Sequence, residues 1–148
     1  MPATTGLLET AIYAKDLTLS AAFYERVLGL GAMLATPRLV AFDTGGGGVL
    51  LVFAKGASAD DIVGPRGTIP GHDGRGKLHF ALSIAAADLA AWRGRLASEG
   101  VAIIGEYNWP LGGASLYFRD PDGHVVELAT PGVWANGPAA PATRDVAG

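Results

Sequence analysis

Two copies of one pattern fill this chain, and nothing else in it limits the fold so tightly. A strand-like alternation over Leu7–Ala14 leads into an apolar-striped helix and three short strands. The same succession restarts at Leu78, about 70 residues later. A βαβββ unit covers one face of its sheet with its own helix and leaves the other face for its twin. The class is therefore α+β, with paired modules and the helices on the outside.

In the first copy, Leu7, Glu9, Ala11 and Tyr13 fall on one side of the opening strand and Leu8, Thr10, Ile12 and Ala14 on the other. Asp16 or Thr18 can cap the next helix, whose stripe reads Leu19, Ala22, Phe23, Val27 and Leu30. Gly29 and Gly31 are expected to end it. Strands follow near Ala32–Thr36, Leu39–Thr44 and Val49–Ala54, and Gly45–Gly48 turns between the last two. No Gly-Lys-Ser/Thr or helix follows that glycine run, which argues against a phosphate loop. The second copy predicts a strand over Leu78–Ile84 and a helix over Ala86–Ser98 that buries Leu89, Trp92 and Leu96. Strands at Val101–Tyr107, Ala114–Arg119 and His124–Ala129 complete it, with Asp120-Pro121-Asp122-Gly123 as a hairpin turn. One domain is expected over 1–131: module one at about 6–55, a Gly/Pro/Asp-rich connection without period over 56–76, and module two at about 77–130. The tail over 132–148 is expected to be mobile, with Trp134 pinning its start.

Composition narrows the function. A net charge of −3 without a basic block argues against nucleic acid and anionic membrane as partners. With no cysteine, a thiol nucleophile and a cysteine zinc site are excluded. Neither a secretory signal nor a run approaching the ~20 apolar residues of a membrane span is visible. A cytoplasmic protein is expected.

Three strand residues carry the chemistry. Glu9, His79 and Glu127 each occupy the face of their strand turned away from the helix, by the parity of their neighbours. Taken singly, a strand histidine is ordinarily a hydrogen-bonded core or edge residue, and a glutamate near a strand end is solvated. Together, two carboxylates facing a concave sheet repel unless a cation lies between them, and a neutral imidazole completes a divalent-metal set. Ser115, Tyr117 and Arg119 share the same kind of face and are candidates for a pocket wall, though Arg119 can instead pair with Asp120 or Asp122. His72, in Pro70-Gly71-His72-Asp73-Gly74, can reach over a pocket or cap a turn. Trp109, just before Pro110, supplies either an aromatic wall or packing.

The chain resembles the vicinal oxygen chelate superfamily of glyoxalase I, bleomycin resistance proteins and extradiol dioxygenases. The likeness rests on Glu9 seven residues before Asp16-Leu17, on Phe23 to Leu30, on Leu78-His79-Phe80-Ala81, and on Tyr117 to Leu128. It implies a curved mixed sheet around a central cavity, and metal ligands at Glu9, His79 and Glu127. The fourth glutamate of glyoxalase-like members is missing, since its neighbourhood reads Leu50-Leu51-Val52-Phe53. Two carboxylates and one imidazole suit Mn²⁺, Fe²⁺, Ni²⁺ or Mg²⁺. A metal-dependent glyoxalase-like lyase or isomerase is the expected function, with Glu127 or Glu9 as base, a small oxygenated substrate and a homodimeric state. The alternatives are a metal-free small-molecule or antibiotic binder and an extradiol-type dioxygenase, for which Glu9 in place of a histidine is a departure.

Overall fold

The computed structural model describes residues 1–142. The first repeat supplies β1 (Glu9–Ala14), α1 (Leu17–Leu28), β2 (Gly31–Ala35), β3 (Leu39–Gly45) and β4 (Gly48–Ala54). A hairpin of β5 (Ile62–Gly64) and β6 (Gly67–Ile69) follows. The second repeat supplies β7 (His79–Ser83), α2 (Leu89–Ser98), β8 (Gly105–Asn108), β9 (Ala114–Arg119) and β10 (Val125–Ala129). The sheets run β1-β4-β3-β2 and β7-β10-β9-β8, identical strand for strand. In each, the first and last strands are parallel and the other neighbours antiparallel. The α+β class and the repeat are as expected. The chain divides into two units, residues 1–78 with 120–124, and residues 79–119 with those from 125 onward.

In the first unit Asp16 caps α1, its Oδ1 accepting from Leu19 N–H at 2.9 Å. Gly29 ends the helix in the left-handed region at φ 68°. Gly31 is not a terminator but opens β2. The buried stripe is Ser20, Phe23, Tyr24, Val27 and Leu28. It is rotated from the expected one, leaving Leu19 and Ala22 exposed. With Ile12, Phe42, Leu50 and Val52 these residues make the core, each large side chain contributing about 1.5–3 kcal/mol by its burial. Leu7 and Leu8, expected in the first strand, precede it and are exposed. The connection over 56–76 is not structureless: β5 and β6 are three-residue strands, too short for a period-2 signal to stand out.

The turn between β9 and β10 is stitched into the first unit. Asp120 Oδ2 accepts from the buried Tyr24 hydroxyl at 2.7 Å, and Oδ1 accepts from the backbone N–H of Asp122 and His124 at 3.0 and 2.8 Å. His124 uses both ring nitrogens: Nδ1 accepts from Leu78 N–H at 2.9 Å, so Nε2–H donates to the Tyr13 carbonyl at 2.8 Å.

In the second unit a 3₁₀ turn at Ala86–Asp88 precedes α2, where sequence predicted a continuous helix. Leu96 is the buried residue of α2, while Leu89 and Trp92 are half-buried. Phe80, Leu116, Phe118, Val126 and Leu128 are the other core residues. The strand expected from Val101 begins only at Gly105. Past β10 the chain forms a strap, with Gly132 N–H donating to the Pro138 carbonyl at 2.9 Å and Gly113 N–H to Gly132 at 3.1 Å. Of the tail expected to be mobile, residues 143–148 lie outside the described residues.

Candidate active site

Strand parity in the second sheet sends Phe80, Val126 and Leu128 into the core, and turns His79, Ala81, Ser83, Glu127 and Ala129 to the other face. That second face floors a cavity of about 470 Å³, walled further by Tyr117, Trp109 and the strap. Its volume is in the range of small-molecule sites.

At one end His79 and Glu127 meet, Nε2 to Oε2, at 3.3 Å. His79 is the register partner of Val125, and its Nδ1 lies 3.0 Å from the Val125 carbonyl oxygen. A carbonyl only accepts, so the Nδ1 proton is committed there and a neutral ring points its Nε2 lone pair at a carboxylate oxygen. Those two lone pairs repel unless a proton or a cation stands between them. Glu127 is buried, and its Oε1 is occupied by Ser115 Oγ–H at 2.5 Å and by the Tyr117 hydroxyl at 3.1 Å. Ser115 in turn accepts from the Trp109 indole N–H at 2.8 Å. Burial pushes the Tyr117 hydroxyl above its ordinary value, Ser115 opposes this, and the Glu127 charge adds to it. The outcome is a carboxylate with one oxygen held by hydroxyls and the other presented beside an oriented imidazole. Such an outer hydrogen-bond set is of the kind that orients metal-binding histidines and carboxylates, and His79 with Glu127 would give a divalent ion two ligands.

Five predicted site residues are thus brought together: His79, Glu127, Ser115, Tyr117 and Trp109. Glu9 is exposed at the start of β1 in the first unit, paired in register with Val49. Among the described residues no three His, Asp or Glu side chains are grouped to hold a metal ion. His72 also belongs to the first unit, where its Nδ1 is 2.7 Å from the Tyr13 hydroxyl and its ring stands edge-on to Phe53 at 4.6 Å. Arg119 is exposed at the end of β9. Asp120 and Asp122 accept hydrogen bonds from Tyr24 and from Lys15 N–H respectively. Sequence reasoning missed Trp134 as a wall residue. An indole inside a Gly/Pro-rich tail was its only signal.

The Glyoxalase/Bleomycin resistance protein/Dioxygenase superfamily pattern matches residues 6–128. The chain belongs to that superfamily. Among its members, metallothiol transferase FosB of Bacillus licheniformis is 29% identical over 130 residues, 87% of this chain and 77% of FosB. The crystal structure of lactoylglutathione lyase from Agrobacterium tumefaciens is 34% identical, covers 89% of this chain and 98% of its own, and superposes with a TM-score of 0.80. The fosfomycin resistance protein FosX from Mesorhizobium loti shares the fold at 22% identity over 86% of this chain and 94% of its own, with a TM-score of 0.59. Within the superfamily repeat, Leu51 pairs with Ala11 as Glu127 pairs with Ala81. Leucine therefore stands in the first repeat where the second carries its buried carboxylate.

Proposed function

We propose that this chain is a divalent-metal-dependent lyase or isomerase acting next to a carbonyl in a small oxygenated substrate, with Glu9, His79 and Glu127 as metal ligands. The single observation carrying the reading is the 3.3 Å approach of His79 Nε2 to Glu127 Oε2, with the Nδ1 proton of one and Oε1 of the other already committed. When bound, Mn²⁺, Fe²⁺, Ni²⁺ or Mg²⁺ stabilises negative charge developing on the substrate oxygen. The protein's own groups do the rest. The Val125 carbonyl holds the imidazole in one tautomer, and Ser115 and Tyr117 keep Glu127 in one rotamer. A carboxylate, Glu127 or Glu9, takes the proton from the hydroxyl-bearing carbon beside the carbonyl and returns it to the carbonyl carbon, while the hydroxyl proton passes to the former carbonyl oxygen. Tyr117, whose hydroxyl is held protonated well past neutral pH, stays a hydrogen-bond donor throughout. Glu9 is the third proposed ligand, and the proposed assembly is a homodimer. His72 and Arg119 are proposed substrate contacts, and the setting is cytoplasmic.

Metal analysis of protein dialysed against Mn²⁺ or Ni²⁺ tests this. The expected result is about one ion per chain, lost in Glu127→Gln and His79→Ala with the fold retained. A wild-type chain that takes up none overturns the reading. The second reading is a metal-free binder of small molecules, favoured by the indoles of Trp109 and Trp134 at the cavity. In that case Glu127→Gln leaves ligand affinity nearly unchanged.

A further inference from the structure

The superfamily match ends at residue 128, and one wall of the cavity lies beyond it. This wall is the strap after β10, and it is a built element. Thr130 N–H donates to the Ala114 carbonyl at 3.0 Å, and Gly137 N–H to the Trp134 carbonyl at 3.1 Å, in addition to the two Gly132 bonds. At φ 98°, Gly132 passes so close to the Leu111 carbonyl that a Cβ would sit 2.6 Å from its oxygen. The strap therefore holds its shape and carries Trp134 to the cavity with 71% of that residue open to solvent.

Trp134 faces a second, fixed indole. Trp109 is oriented by its N–H bond to Ser115 and by the edge-on ring of Tyr107 at 4.7 Å. The two indoles have centroids 6.4 Å apart and planes inclined by 34°, forming an aromatic corner. Among the described residues no Lys or Arg lines the cavity, so a phosphate or carboxylate on the ligand body meets no counter-charge from them. Indole faces instead reward flat, polarisable surface without negative charge. From this we infer that Trp134 is a specificity-determining residue which, with Trp109, holds a flat aromatic body without negative charge, the oxygen-bearing edge of the ligand reaching His79 and Glu127. The placement of that edge rests on the metal reading above; the aromatic corner does not.

The test uses 3-hydroxyflavone, a neutral planar hydroxy-ketone, against acetoin, its aliphatic counterpart, by calorimetric titration with and without Mn²⁺. The flavone should bind at least about tenfold more tightly than acetoin, and Trp134→Ala should lose about tenfold of that affinity. Trp134→Phe should recover most of it. Equal binding of the two ligands, or a Trp134→Ala protein with unaltered affinity, overturns the proposal. So does a Trp134→Ala protein that keeps affinity but changes its mass in light scattering, which assigns the indole to contact between copies. Metal content of the same samples separates the two readings. Flavone binding that depends on Trp134 without metal uptake leaves the corner standing and removes the metal site. Metal uptake without that dependence does the reverse.

Discussion

At the scale of single residues, buried hydroxyls and carboxylates decide most. Tyr24 is buried, and that burial, with the neighbouring Asp120, drives its hydroxyl far above the ordinary value of 10.0. Because the folded value is raised, the stability it brings is complete below about pH 10 and is lost as pH climbs from there toward the folded value. Tyr24→Phe should cost about 1–3 kcal/mol at neutral pH, by leaving Asp120 Oδ2 short of a donor, and should flatten the alkaline loss. Urea unfolding between pH 7 and 11 measures both. The same logic explains what was legible of the site. His79 and Glu127 were readable because parity alone turns them off the core face. Their 3.3 Å approach was not, since it depends on neighbouring strands and on which oxygen Ser115 occupies.

Among the elements, α1 shows most clearly where pattern reading stops. Its cap at Asp16 and its glycine end were legible, because both are local hydrogen-bonding and φ requirements. The buried stripe was misjudged by about one position, since Leu19 at the first turn looks as apolar as Leu28 at the last and only the sheet beneath tells them apart. Leu28→Ala is therefore expected to cost about 2–5 kcal/mol and Leu19→Ala much less, a contrast that thermal unfolding of the two variants will show. β5 and β6 were hidden for a related reason: three residues do not establish alternation. The strap past β10 is invisible to periodicity altogether, since its order comes from main-chain hydrogen bonds.

For the whole molecule, the proposed metal site and homodimer give the last expectation. Light scattering should return a mass near twice 15.1 kDa. Saturating Mn²⁺ or Ni²⁺ at about 100 times its dissociation constant should add about 2.7 kcal/mol to stability, and Glu9→Ala should abolish the gain. A monomeric mass counts against the homodimer, and an unchanged melting curve on adding metal counts against the metal site. The repeat, the class and the faces of the strands were determined by sequence, because alternation at period two and stripes at period 3.6 are properties of neighbouring residues. Only the tertiary structure decided that Trp109, Ser115, Tyr117, His79 and Glu127 share one hydrogen-bonded corner and that a strap brings Trp134 to it. The corner is joined by side-chain hydrogen bonds between different strands and the strap by main-chain bonds, and neither kind of contact leaves a period in the sequence.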